Sequence, residues 1–281
     1  MNYDHFKTAF MEKLPEYLPA EYQNWEVCCR EIIKVNGAYD AIHVMPPDGH
    51  GGSPTLYVNE IYSYYEACGD LGKACQKAAA IFVIGMDYLS QVGIQSVEAL
   101  PKDRIVFVLI PQNGNERLLS GVPHRLTLDL AVIYRIVLET EPEGVNSAIV
   151  NNEMAAEMKL TEEELYELAL ENTPEILPVD LRTSEGGIYI LTNQLCIAGA
   201  SVILYPGVLS ALAEDVQNDL FILPASLNEV FVVPDTGQDV RDMNTMVQNA
   251  NETVLHNTDV LADHVYYYHR ETNQVCIPKW E

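Results

Sequence analysis

Hydrophobic and polar positions repeat along the chain with two different periods, which predict helices and strands interspersed with one another. Two strand-like segments, Trp25–Val35 and Tyr39–Met45, are joined by Asn36-Gly37, a pair that tolerates positive φ and favours a hairpin turn. Strands and helices follow no regular βαβ order, so the pattern predicts an α+β fold with a mixed, largely antiparallel sheet and helices packed against it. Helical spacing marks the segments 6–14, 60–68, 72–89, 208–216 and 240–254.

The longest alternation runs from Leu126 to Leu138, with an apolar residue at every second position. A period of two places Leu128, Leu130 and Val132 on one buried face and predicts a single central strand. Arg125 and Asp129 then share the opposite face with Arg135.

A helix is predicted to begin at Thr161, because Thr161 and Glu164 have the spacing of a capping box. The acids in its first turn suit the positive end of the helix dipole, so they are not interpreted as a metal site. The helix is expected to end before Pro174, which disfavours helical geometry in the residue before it. Short strands are predicted at 188–191, 202–204, 220–223, 230–233, 265–268 and 274–277.

The 281 residues allow one large domain or two of ordinary size. A polar turn near Glu143 suggests a soft boundary, with an N-terminal α+β lobe over 1–142 and a C-terminal α+β lobe over 143–281. A single continuous domain is the alternative.

The charged residues predict a strongly acidic surface. The chain has 41 Asp and Glu against 16 Lys and Arg, a formal net charge of -25, so it would repel phosphate backbones and anionic lipids. The acids are spread along the chain, which favours a scattered, solvated surface over a dense face that docks on a basic partner.

The expected location is the cytoplasm. The first residues lack the basic and apolar regions of a secretory signal, and no apolar run approaches the roughly 20 residues of a spanning helix. The six cysteines form no CxxC pair, so we expect reduced thiols.

The sequence contains little recognisable chemistry. The seven histidines form no metal-binding spacing, GxSxG is absent, and the glycine-rich segment 46–54 lacks the ending of a phosphate-binding loop. No metal and no cofactor are therefore predicted. His124-Arg125 is a candidate anion clamp, although an Arg125–Asp129 ion pair is the favoured interpretation. Ser226 lies in a loop between two strands, where a turn-forming role is favoured over a nucleophilic one. The candidate binding residues are His124, Arg125, Asp129, Tyr205, Ser226 and Glu229.

Several motifs resemble those of one family. The most specific are Leu204–Leu209 and Leu220–Val230, and the others include Pro123-His124-Arg125, Leu128-Asp129-Leu130, Leu160–Leu165 and Asp263-His264-Val265-Tyr266. The chain resembles, over nearly its whole length, domain of unknown function 5688, an uncharacterised family of Gram-positive anaerobes, and more distantly domain of unknown function 1444. The resemblance implies a bacterial protein of a family whose members are often carried near mobile elements, and it implies no activity or catalytic residue.

Two functions follow as hypotheses. The first is a non-enzymatic interaction or regulatory protein whose partner is another protein with a basic surface, without direct binding of nucleic acid or membrane. The alternative is an enzyme, such as a hydrolase, with a site assembled around His124, Arg125 and Ser226. Convergence of the candidate residues in one pocket would favour the enzyme. The sequence indicates no oligomeric state.

Overall fold

The computed structural model describes residues 1–47, 53–92, 97, 100–141, 144–184 and 186–279. Its internal contacts divide the chain into two units, Met1–Gln95 and Ser96–Glu281. The described strands form three sheets whose pairings are antiparallel, with helices in both units, which confirms the α+β prediction.

In the described part of the first unit, helices accompany a three-stranded sheet of order β1-β2-β3. The side chain of Asn2 caps the first helix by accepting from the amide of His5. Asn36 turns the predicted hairpin with φ of 57°, and Phe6 and Phe82 lie in the core beneath the sheet. The elements are α1 (Tyr3–Lys13), a 3₁₀ helix (Leu14–Tyr17), β1 (Glu26–Lys34), β2 (Gly37–Met45), β3 (Leu56–Tyr57), α2 (Val58–Cys68) and α3 (Leu71–Val92).

The second unit contains two sheets that share one large hydrophobic core with its helices. Its strands are β4 (Ile105–Pro111), β5 (His124–Thr127), β6 (Leu130–Glu141), β7 (Gly144–Ile149), β8 (Val179–Thr183), β9 (Tyr189–Asn193), β10 (Leu220–Pro224), β11 (Val230–Pro234), β12 (Tyr266–His269) and β13 (Gln274–Cys276). Its helices are α4 (Glu116–Leu119), α5 (Asn152–Glu157), α6 (Glu162–Ile176), α7 (Val208–Val216) and α8 (Val240–Thr253), with 3₁₀ helices at Lys102–Arg104, Gly199–Leu204 and Asn257–Asp259.

One sheet of this unit has the strand order β13-β12-β10-β11-β9-β8, and the other has the order β4-β6-β5 with β7 also paired to β6. The soft boundary expected near Glu143 falls between β6 and β7. Glu143 itself lies outside the described residues, but the two strands that flank it pair with each other.

The predicted single strand Leu126–Leu138 is wrong in its first part. The chain turns at Leu128 and Asp129 to form the hairpin of β5 and β6, with Thr127 opposite Leu130. Leu128 has a φ of 56° and its side chain is 44% exposed, whereas Leu130 is 2% exposed. The alternation conceals the turn because Leu128-Asp129 is not a typical turn pair and apolar residues continue on both sides of it.

The hairpin changes which residues share a face. Arg125 lies directly opposite Val132, so it is on the face of Val132 and Tyr134. Arg135 lies on the other face, where its guanidinium donates to Ser147. The predicted shared face of Arg125 and Arg135 is therefore wrong.

Helix α6 begins as predicted and ends later than predicted. The capping box of Thr161 and Glu164 is present. Pro174 lies inside the helix, which continues to Ile176, since a proline close to the end interrupts little of the hydrogen-bond ladder that follows. The segment 202–204, predicted as a strand, lies in the 3₁₀ helix Gly199–Leu204, because a short buried apolar run has the same pattern in either structure.

The outer edge of β4 is covered by side chains rather than by another strand. The amide of Phe107 donates to the hydroxyl of Thr173 at 3.0 Å, and the amide of Leu109 donates to the hydroxyl of Ser201 at 2.9 Å. The side-chain amide of Asn172 donates to the backbone carbonyl of Ile105 at 3.1 Å. These contacts satisfy backbone groups that burial would otherwise leave without partners.

Candidate functional site

The candidate Arg125 binds the first turn of α6. Its Nε and Nη2 donate to the two carboxylate oxygens of Glu162 at 3.2 and 3.0 Å, and Nη2 also donates to Glu163. The hydroxyl of Tyr134 donates to Glu162 as well, and the guanidinium lies 3.9 Å from the centre of the Tyr166 ring. We call Arg125, Tyr134, Glu162 and Glu163 the arginine cluster. The predicted Arg125–Asp129 ion pair is wrong, because the hairpin turn directs the two side chains to different partners.

In the arginine cluster, one guanidinium and one phenol donate hydrogen bonds to two carboxylates. The hydrogen bond to Glu162 raises the pKa of Arg125, and burial followed by the hydrogen bond to Glu162 raises the pKa of Tyr134. The guanidinium and the phenol therefore stay protonated and donate to the carboxylates. The side chains of Arg125 and Glu162 are each 31% exposed, so the cluster is partly shielded from water.

His124 and Asp129 lie near Arg125 in sequence and have other partners. Nδ1 of His124 is 3.0 Å from the carbonyl oxygen of Val122. Asp129 accepts a hydrogen bond of 2.8 Å from the hydroxyl of Tyr266, and its other oxygen is 3.6 Å from Nε2 of His264.

The His264 imidazole lies between two carboxylates. Its Nδ1 is 3.3 Å from Asp263, on the side away from Asp129, and its ring packs against that of Tyr266 with 4.9 Å between centroids. Among the described residues, these side chains make no hydrogen bond to a serine, threonine or cysteine, so no nucleophile is placed beside the imidazole.

Tyr205 is a core residue. Its side chain is 4% exposed, its hydroxyl donates to the carbonyl of Leu177 at 2.9 Å, and its ring meets that of Phe107 edge-on. Burial raises the pKa of its phenol. These contacts tie the 3₁₀ helix to β4 and leave the hydroxyl engaged inside the protein.

Ser226 and Glu229 lie in the turn between β10 and β11. The hydroxyl of Ser226 accepts from the amide of Asn228 at 3.0 Å, and the amide of Ser226 donates to the carbonyl of Glu229 at 3.0 Å. The Asn228 side chain accepts from the amide of Ala198, and the hydroxyl of Thr192 donates to the Asn228 carbonyl at 2.6 Å. These two hydrogen bonds connect the turn to β9 and to the loop that follows it.

The structure thus places the six candidate residues in separate contacts. Among the described residues, the hydrogen bonds that join any two of them are confined to the backbone bond of Ser226 and Glu229. The residues of the β5–β6 hairpin bind α6 and the segment before β12, whereas Ser226 and Glu229 form their own turn.

A second polar group, which the sequence analysis did not single out, lies at one end of the six-stranded sheet. Asp219 precedes β10 and Asp235 follows β11, and the antiparallel register places them opposite each other, with the amide of Asp235 donating to the carbonyl of Asp219. The hydroxyl of Tyr267, on β12, is 3.0 Å from Oδ2 of Asp219 and 2.6 Å from Oδ2 of Asp235. We call Asp219 and Asp235 the aspartate pair.

The aspartate pair has more negative charge than its neighbours neutralise. A phenol has one proton, so Tyr267 satisfies one carboxylate oxygen at a time. Backbone amides of Arg270 and Gly237 donate to the other two oxygens. Among the described residues no Lys or Arg side chain forms an ion pair with either aspartate, and the nearest titratable base is His269, with Nδ1 3.7 Å from Asp219.

The pair is also accessible from solvent. The side chain of Asp219 is 33% exposed and that of His269 is 47% exposed. The hydrogen bond from the Arg270 amide lowers the pKa of Asp219, so this carboxylate is ionised at neutral pH. Burial, followed by the hydrogen bonds to the two aspartates, raises the pKa of Tyr267. The sequence did contain a signal for this site, since residues that flank two strands of a hairpin lie opposite each other.

Three further observations bear on function. Within the described parts of the chain, no three His, Cys, Asp or Glu residues are grouped so that they would bind a metal ion. No helix of the same residues has the length and apolar character needed to cross a membrane. The six cysteines, all in described segments, are free thiols.

Residues 3–185 and 180–270 match the model of a family of unknown function, DUF5688. The chain belongs to the DUF5688 family. No curated protein matches the chain, and neither does any solved structure. The more distant likeness to domain of unknown function 1444 stays a prediction.

The structure shows that motifs of this DUF5688 member lie together in pairs. The motif containing Arg125 binds the motif that begins α6, and the motif containing Asp129 binds the motif of His264 and Tyr266. These motifs therefore hold distant parts of the second unit together.

Proposed function

We propose that the protein is a non-enzymatic interaction or regulatory protein, and that it binds the basic surface of another protein through the aspartate pair. The observation that carries the proposal is the position of Asp219 and Asp235, opposite each other, with one tyrosine proton between them. Like charges directly opposite on neighbouring strands are destabilising. A cation from a partner would relieve that repulsion.

The charge of the whole chain supports the same role. A net charge of -25 attracts basic surfaces over distances longer than a hydrogen bond and repels nucleic acids and anionic lipids. A partner's arginine or lysine would then be guided toward an accessible acidic site. A cytoplasmic, bacterial setting near mobile elements is part of this proposal.

The hydrolase alternative lacks comparable support. Its proposed residues His124, Arg125 and Ser226 have their polar atoms engaged with Val122, α6 and Asn228 respectively. The hydrolase function stays a prediction, and an assay for hydrolytic activity would test it.

The proposal is tested by binding of a fluorescent oligo-lysine peptide to the full chain, followed by fluorescence anisotropy. The test variant is Asp219→Asn with Asp235→Asn. The control variant is Glu214→Gln with Asp215→Asn, which removes the same charge from two exposed acids on α7. We expect the wild-type protein and the control to bind similarly and the test variant to bind several-fold more weakly.

Salt provides a second measurement. The Debye length falls from about 10 Å at 0.1 M salt to about 3 Å at 1 M salt, so electrostatic binding should weaken steeply over that range. Equal affinity of the test and control variants would show that the aspartate pair is not the docking site. Binding that is insensitive to salt would contradict electrostatic docking.

A further inference from the structure

Strand β8 forms one edge of the six-stranded sheet. In the part of the chain that the structure describes, β8 pairs with β9 and with no other strand. A strand at the edge of a sheet presents a row of backbone amides and carbonyls to which another strand can be added. The geometry and the sequence of β8 indicate which strand would fit there.

The register shows which backbone groups of β8 face the open edge. Directly before β8, the carbonyl of Pro178 accepts a hydrogen bond from the amide of Gln194, and the register of β8 on β9 continues from this pair. Because hydrogen-bonded and non-hydrogen-bonded positions alternate in an antiparallel pair, the even-numbered residues of β8 bond to β9. The amides and carbonyls of the odd-numbered residues therefore point away from β9, and these residues are Val179, Leu181 and Thr183.

Apolar side chains on β8 are exposed on the face of the sheet that is buried elsewhere. Leu181 lies opposite Leu191 of β9, so the two side chains are on the same face. Leu191 is completely buried in the large core of the second unit, whereas Leu181 is 49% exposed and Val179, on the same face, is 40% exposed. An added strand would bring side chains beside these two and reduce their exposure.

The sequence of β8 is complementary to itself. Asp180 and Arg182 flank Leu181 and form an ion pair within the chain. When two copies of β8 run antiparallel with Leu181 opposite Leu181, Asp180 of each copy lies opposite Arg182 of the other. These are the non-hydrogen-bonded positions of the new pair, where opposite side chains are closest. Each carboxylate then has one guanidinium from its own chain and one from the second copy, so the ion pair within the chain is kept.

We propose that β8 is the surface through which two copies of this chain form a symmetric dimer. The two-fold axis passes through the Leu181 pair, and the outward backbone groups of Val179, Leu181 and Thr183 bond to those of the second copy. The same patch serves both copies, as a two-fold interface requires. The net charge of -25 opposes association, and the four charges of alternating sign beside the axis offset part of that repulsion. The dimer goes beyond the proposed function and does not rest on the aspartate pair, which has no residue on β8.

Sedimentation velocity of the full chain tests the dimer over protein concentrations from about 1 µM to about 200 µM. Salt at about 0.15 M shortens the range of repulsion between the acidic surfaces to about 8 Å. We expect monomer at the lowest concentration and mostly dimer at the highest, with a dissociation constant of about 10–100 µM, because a pair of short strands gives a small interface. A chain that is monomeric at about 200 µM would overturn the proposal.

A matched pair of variants locates the interface. Leu181→Lys places two ammonium groups opposite each other at the axis, and we expect it to weaken self-association about tenfold or more. Leu126→Lys makes the same change at a leucine that is 52% exposed on β5, an edge strand of the other sheet. We expect Leu126→Lys to associate as the wild-type protein does. Equal effects of the two variants would assign the self-association to another surface.

A charge exchange tests the antiparallel register. Asp180→Arg and Arg182→Asp each place like charges opposite each other across the axis, so we expect each variant alone to be monomeric at about 200 µM. In an equal mixture of the two variants every arginine faces an aspartate of the other chain, and we expect dimers to return. Circular dichroism of each variant checks that it is folded. A mixture of folded variants that stays monomeric would exclude the Leu181-centred pairing.

Discussion

The arginine cluster and the aspartate pair contain the same acidic and phenolic groups, and they differ in how much of the negative charge the chain itself neutralises. Each has two carboxylates and one tyrosine hydroxyl at hydrogen-bonding distance. In the arginine cluster, Arg125 lies between Glu162 and Glu163 and neutralises part of their charge. In the aspartate pair, the nearest base is the exposed imidazole of His269.

This difference distinguishes a contact whose cation comes from the same chain from one to which, in the proposed function, a partner would supply the cation. Arg125 joins the β5–β6 hairpin to α6 with its own chain as the only participant, so its contribution is to folding. The aspartate pair joins neighbouring strands that the backbone already pairs. We therefore expect its second carboxylate to contribute less to stability than Glu162 does.

The largest effect is expected from Arg125→Ala. The change leaves two glutamates and a buried tyrosine hydroxyl without their cation, and we expect a loss of about 2–3 kcal/mol in the free energy of unfolding, below the range for fully buried pairs because Arg125 is partly exposed. Urea denaturation followed by circular dichroism measures it.

The matched control is Arg182→Ala, which breaks the ion pair of Arg182 with Asp180 on β8, where the arginine side chain is 57% exposed. We expect a loss below about 1 kcal/mol. If both variants cost the same, the arginine cluster is an ordinary surface contact and the comparison fails.

An intermediate effect is expected from neutralising one carboxylate in each group. Glu162→Gln weakens charged hydrogen bonds and should cost about 1–2 kcal/mol. Asp235→Asn should cost nothing or stabilise by up to about 1 kcal/mol, because the new amide can donate to the Tyr267 hydroxyl while that hydroxyl donates to Asp219. Both are measured by urea denaturation. A loss in Asp235→Asn as large as that in Glu162→Gln would show that the aspartate pair is already balanced within the protein.

The smallest effect concerns acid. The Arg270 amide lowers the pKa of folded Asp219 below its ordinary value, so this carboxylate stabilises the fold above that value, and the stabilisation is lost as the pH falls through the folded pKa. In Asp219→Asn the thermal midpoint should therefore fall less between pH about 5 and about 3 than in the wild-type protein, by about 1 °C. Parallel pH profiles would mean that the hydrogen bond does not favour the ionised form.

Much of the fold was predictable because local signals agreed with it. Asn36 turned the first hairpin as expected, and the capping box began α6 at the expected residue. The sequence pattern does not show the hairpin at Leu128, because Leu128-Asp129 is not a typical turn pair and a leucine rarely adopts the positive φ of 56° that it has here.

Because residues 126–138 were interpreted as one strand, the partners of Arg125 were not predicted. A two-residue turn reverses which side chains share a face, so an alternation counted through Leu128 assigns Arg125 to the wrong side and to the wrong partner. The carboxylates that bind Arg125 are 37 and 38 residues away in sequence, and no local pattern connects them. Asp219 and Asp235, by contrast, flank two strands that were predicted, and pairing those strands would have placed the two acids together.

The order of synthesis determines when the edge of β4 becomes covered. The strand is a run of apolar, strand-forming residues, the kind of segment that pairs with other chains when its edge is open. The hydroxyls that cover Phe107 and Leu109 come from Thr173 and Ser201, 66 and 92 residues further along the sequence. On the ribosome the strand is therefore synthesised several seconds before its covers, at rates of about 5–20 residues per second. For that interval the edge of β4 is open to pairing with other chains.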